Sequence, residues 1–202
     1  MKRTNDWLLA AALWALATAP AWAHGDHGDS APLGSGSFAT GFIHPFTGWD
    51  HVAAMVAVGL WGAFLGRPAI WVLPIVFPLV MAFGGFLGLV GMPLPGIEIG
   101  IALSAVVLGV MVAAAARPPL WVAAVIVGVF AVFHGHAHGT ELPGAADPLL
   151  YSLGFVLATG LMHAGGIAFG ALSHWPAGRW AVRAGGGLIG LAGLSFLLAA
   201  AV

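Results

Sequence analysis

Six long apolar segments, at about residues 38–66, 69–91, 97–116, 119–138, 149–172 and 180–201, account for most of this chain. Each matches or exceeds the roughly 20 residues that a helix needs to cross a hydrocarbon core. All are far longer than a barrel strand, and in lipid only helices or closed barrels satisfy every backbone polar group. Short Pro/Gly stretches separate them: "GRPA", "GMPLPG", "ARPPL", "GTELPGAADP" and "SHWPAGR". Only 6% of the residues are charged and 60% are hydrophobic, too few polar groups to cover a soluble surface. A soluble domain carries about a quarter charged residues. The expected fold class is all-α, a polytopic membrane protein with six transmembrane helices over residues 38–202.

The first 23 residues read differently. "MKRTNDWLLAAALWALATAPAWA" has Lys2 and Arg3, then an apolar core from Trp7 to about Thr18, then Ala21-Trp22-Ala23. A basic start, a core too short to span and an A-x-A ending mark a secretory signal peptide. Residues 1–23 are therefore expected to be cleaved, leaving residues 24–37 as a periplasmic N-terminal segment. The remaining basic residues, Arg67, Arg117, Arg179 and Arg183, follow the first, third and fifth segments. Cytoplasmic loops collect Lys and Arg, so those connections are expected inside and the mature N-terminus outside. The expected location is the bacterial inner membrane, surrounded by lipid. A net charge of -1 and no basic run in the sequence argue against a nucleic-acid partner.

The acidic residues and most histidines then gather at the outer end. With no cysteine in the chain, His, Asp and Glu are the strong metal ligands on offer. The first motif is "HPFTGWDH", residues 44–51. On an unbroken helix His44 and His51 share a face but stand about 10.5 Å apart. Pro45 disfavours the α conformation at His44, and Gly48 permits further bending, so a break there can bring His44 back toward Asp50 and His51. Asp50 can bind a metal directly or orient an imidazole. The second motif is "FHGHAHGTE", residues 133–141, where helical spacing places His134, His138 and Glu141 on one stripe. His136 lies about 200° around from His134 and is expected to be a bystander or a surface contact. Glu98 stands just inside the outer end of the third segment, where a carboxylate is costly without a partner. His163 lies deep in the fifth segment, suited to a translocation path, although a lone histidine in an apolar helix is commonly a packing residue. His24 and His27 are either solvated tail residues or an outer capture site.

Small-residue spacing has a structural reading. Gly186, Gly190 and Gly193 share a face, as do Gly84 and Gly88, and such spacing lets helices approach closely.

"HPFTGWDHVAAMVAVGLWG" and "FHGHAHGTE", with "FPLVMAFGGFLG", "GIEIGIALSAVVLG" and "LMHAGG", closely resemble the HupE/UreJ family of nickel permeases over nearly all of the mature chain. The resemblance implies a secondary transporter, not an enzyme, that takes up Ni2+ or Co2+ to supply hydrogenase or urease maturation. It implies metal-linked roles for His44, Asp50, His51, Glu98, His134, His138 and Glu141, and no cofactor besides the transported ion. Val52-Ala53 depart from a leucine common in the family at this point. A zinc-dependent intramembrane hydrolase is the alternative, using the same ligands with one open position for water and Ser104 or Ser152 assisting. A haem-binding cytochrome with paired axial histidines is a third class.

Overall fold

A computed structural model describes residues 36–142, 144 and 146–201. The expected signal peptide, His24 and His27 lie outside the described residues. The order is α1 (Ser37–Ile43), a 3-10 turn (His44–Phe46), α2 (Trp49–Leu65), α3 (Ala69–Leu89), α4 (Ile97–Ala113), α5 (Leu120–Thr140), α6 (Pro148–Gly170), a second 3-10 turn (Ala171–His174) and α7 (Pro176–Ala200). The described residues form helices and connections only, in keeping with the all-α expectation.

Among the described residues, length and apolarity single out fewer helices than the six spans expected. Four helices are long and apolar enough to cross a bilayer: α3, α5, α6 with its 3-10 extension, and α7. A fifth arises if α1 and α2 form one span, but they meet at a bend of 82°. Helix α4 is apolar yet has only 17 residues, about 26 Å at 1.5 Å per residue. It stops early because Ala115 takes a left-handed φ of 56°, and the amides of Ala115 and Ala116 turn back to the carbonyls of Val112 and Met111.

Helix α2 is central, contacting α3, α4, α6 and α7. Ala54, Met55, Val58, Leu60 and Trp61 are fully buried on it. Around it, α3 pairs with α5, α4 with α7, and α6 with both α1 and α2. The outer surface is the opposite of a soluble protein's. Trp71, Ile75, Leu79 and Phe83 form an exposed row along α3, and Leu188, Leu191 and Leu198 another on α7. Such contiguous apolar surface needs a nonpolar surrounding, and lipid provides it.

Glycine sets how closely the helices pair. A methyl added at Gly59 would meet the carbonyl oxygen of His163, and one at Gly135 the carbonyl oxygen of Met81. Gly84 and Gly88 face the backbone of α5 at Val132 and His136, while Gly186 and Gly193 face α4. The close approach expected from their spacing is present. Overpacking a well-fitted interface costs about 1–3 kcal/mol for modest insertions, and here the obstruction is rigid backbone. Gly135→Leu should therefore separate α3 from α5 and sharply reduce the monodisperse fraction in detergent size-exclusion chromatography.

Candidate metal centre

The two ends of the bundle carry different chemistry. One end holds the starts of α2, α4 and α6 and the end of α5, with Asp50, Glu98, Asp147 and Glu141. The arginines lie at the other end, Arg67 and Arg117 in connections and Arg179 and Arg183 in the first turns of α7.

At the acidic end, the break does not fall at His44-Pro45 as expected: His44 keeps α-helical angles (φ -50°, ψ -50°), because its amide still bonds the Thr40 carbonyl, and the chain leaves the helical region only at Gly48. Pro45 enters the 3-10 turn. The Thr47 amide and hydroxyl both donate to the His44 carbonyl, at 3.0 and 2.6 Å. Gly48 is extended and α2 starts immediately after it. The chain reverses so sharply that His44 and His51 reach the same histidine of α5. His44 Nε2 lies 3.1 Å from His138 Nδ1, and His138 Nε2 contacts His51 Nε2.

Glu141 completes the outer part. Its Oε2 stands 3.2 Å from His44 Nε2 and 3.6 Å from His138 Nδ1. One ligand atom each from His44, His138 and Glu141 fall within 4.8 Å of one another. His44 and Glu141 are partly exposed, whereas His51 and His134 are buried. The cluster therefore leads from an accessible mouth to a dry interior. Its inner member is His134, whose Nδ1 lies 3.0 Å from His51 Nε2.

Second partners fix the ring that reaches deepest. Ser104 donates its hydroxyl hydrogen to the Ile101 carbonyl, so the 2.8 Å contact with His134 Nε2 requires that nitrogen to donate. The Nδ1 lone pair of His134 is left facing His51. His163 follows the same logic: its Nδ1 donates to the Met55 carbonyl at 2.8 Å, and its buried Nε2 has no hydrogen-bond partner among the described residues. A backbone or hydroxyl acceptor behind the ring is the usual support of a metal-binding imidazole. Phe77 stands between the two, its ring centre 5.6 Å from each.

The expected stripe of His134, His138 and Glu141 is not the unit that meets. His134 turns inward to His51 and Ser104, and His44 sits beside His138 and Glu141 instead. The rise from 134 to 141 is about 10.5 Å, too long for one ion. Asp50 accepts from the His51 amide at 2.7 Å and stands 3.9 Å from its Nδ1, an orienting position at the helix start. Glu98 is exposed in the first turn of α4 rather than sunk within the bundle, because the helix starts only at Ile97. His136 faces away from the cluster but is buried, not a surface contact, and its Nε2 donates to the Met92 carbonyl at 2.6 Å.

Three aromatic residues complete the site without having stood out in the sequence. The Phe155 ring lies 4.3 Å from that of His138, and Tyr151 lies 5.9 Å from His44. Together with Phe77 they form a low-dielectric wall. Tyr151, the sole tyrosine of the chain, carried the one available signal. Imidazole nitrogens with a carboxylate oxygen, in an apolar wall, suit a borderline divalent transition metal.

A sequence model of the family described as HupE / UreJ protein matches residues 11–196 of this chain. The chain is also similar to Protein HupE of Rhizobium leguminosarum bv. viciae, with 46% identity over 158 residues, covering 78% of this chain and 83% of that one. No solved structure matches it.

Proposed function

Since this chain belongs to the HupE/UreJ family, whose members are metal transporters rather than enzymes, we propose that it is a secondary permease that takes up Ni2+ across the bacterial inner membrane. Co2+ is the second substrate, and the recipient is hydrogenase or urease maturation. In this reading the mature N-terminus and the acidic end face the periplasm. The observation that carries the proposal is the convergence of His44, His138 and Glu141 on one small volume, continuous with His51 and His134.

A hydrated ion is first drawn by the acidic end, where Glu98 contributes charge and His24 and His27 offer an initial hold. It exchanges water for His44, His138 and Glu141 at the mouth, with Asp50 orienting His51. Transfer inward passes from His138 to His51 and His134, which share close contacts. The Phe77 ring must then move to admit the ion to the waiting Nε2 of His163. Several sites of moderate strength favour conduction, because an ion held too tightly does not leave. The hydrolase reading has less support, since the hydroxyl hydrogen of Ser104 is committed to Ile101.

Radiolabelled nickel uptake in cells with and without the protein tests the proposal, with cobalt and zinc as competitors. Accumulation should depend on the protein, with cobalt competing more effectively than zinc. Equal accumulation with and without it would remove the proposal's basis. Ser104→Ala gives a finer test. Loss of a supporting partner typically weakens metal binding roughly 10–100-fold, so nickel affinity of the purified variant should fall in that range while its fold persists.

A further inference from the structure

The arginine end of the bundle contains a second feature, independent of the metal centre. Arg117, Arg179 and Arg183 are spread across the sequence, which has no basic run, yet they line one cavity of about 400 Å3. Phe64, Trp180 and Pro176 complete much of its wall. Among the described residues no carboxylate lines it, and every described Asp and Glu lies at the opposite end of the helices. Three guanidinium groups gathered with no acidic partner among the described residues repel one another, so this cavity favours an anion.

The side chains are oriented for this. Arg183 Nε donates to the Ala113 carbonyl at 2.8 Å, which directs its terminal nitrogens onward. The Arg183 guanidinium rests 4.9 Å from the Trp180 ring centre and that of Arg117 4.8 Å from the Phe64 ring centre. Stacked in this way, the planar donor forks lose less freedom on binding an oxyanion, which arginine holds in bidentate fashion. The amino-terminal end of α7 adjoins the cavity at Pro176 and adds partial positive charge. Arg67, at the same end but outside this lining, shows that a charge placed only for topology requires no such cavity.

The depth of the cavity indicates the source of the anion. Trp71, Trp121, Trp175 and Trp180 all lie near this end of their helices, and each is 58% or more exposed. Tryptophans at this position form the belt that sits at lipid headgroup level. Basic pockets between helix ends at that level bind anionic headgroups. We propose that this cavity binds the phosphodiester headgroup of an anionic phospholipid, held between Arg117, Arg179 and Arg183.

Native mass spectrometry of the full-length protein in detergent, with phosphatidylglycerol and phosphatidylcholine at equal concentration, tests this. The wild type should retain phosphatidylglycerol preferentially. Arg117→Gln with Arg179→Gln should reduce that preference roughly tenfold or more, whereas Arg67→Gln should keep it. Arg183 is left in place because it holds Ala113, and exposed Arg179→Gln alone serves if the double variant does not fold. Equal retention of both lipids, survival of the preference in the Arg179 variants, or the same loss in Arg67→Gln would overturn the proposal. Displacement of the lipid by equimolar inorganic phosphate would also overturn it, assigning the cavity to a soluble anion instead.

Discussion

Replacing His51 with alanine should reduce nickel uptake to the background of cells lacking the protein, while the variant remains at normal abundance in the membrane. His51 links the mouth to the interior, touching His138 on one side and His134 on the other. Without it, an ion held by His44, His138 and Glu141 loses the imidazole that bridges His138 to His134. Partners that merely support a ligand contribute roughly 10–100-fold to metal binding, so loss of a ligand at this junction should exceed the upper end of that range. Radiolabelled uptake, normalised to the amount of membrane-inserted protein, measures the effect. Wild-type uptake by the variant would contradict the proposed route.

The second large effect is expected at the mouth. His44→Ala combined with Glu141→Gln removes two of the three ligand positions that lie within 4.8 Å of one another, including the only carboxylate among them. Equilibrium dialysis of the purified variant against nickel should show affinity weakened by more than about a hundredfold. Glu98→Gln should behave differently. From its exposed position on the first turn of α4 it acts on the approaching ion through charge, so the variant should keep the bound stoichiometry and saturated uptake rate. It should raise only the nickel concentration needed for half-maximal uptake, and more strongly at low ionic strength. An effect of Glu98→Gln on stoichiometry as large as that of the double variant would return Glu98 to the ligand set.

Much of this was readable from residue order. Gly48 announced the break that the structure places there, whereas the expected effect of Pro45 is absent, since His44 keeps α-helical angles. The arginines and acids announced two chemically opposite ends. His136 was recognisably off the stripe of His134 and His138, although its burial against Met92 was not. Helical periodicity alone could not select His44 over His134 as the partner of His138 and Glu141. Spacing along one helix gives the face on which a side chain starts, whereas the choice of partner depends on what a neighbouring helix presents. Only the 82° bend between α1 and α2 made His44 that neighbour.

The sequence alone determined a helical chain for an apolar solvent, with metal-binding residue types concentrated at one end and positive charge at the other. Length, hydropathy and charge order carry that information, and none of it depends on which helices touch. Helix neighbours were decided by the tertiary structure. Lipid and protein are both apolar, so a helix face written for one reads like a face written for the other. What distinguishes them is shape: Gly59 under the His163 carbonyl, Gly135 under that of Met81. Those fits join α2 to α6 and α5 to α3, and the contact of α2 with α3 sets the two pairs together so that four imidazoles and a carboxylate converge, while the packing of α4 and α7 gathers three dispersed arginines around one cavity.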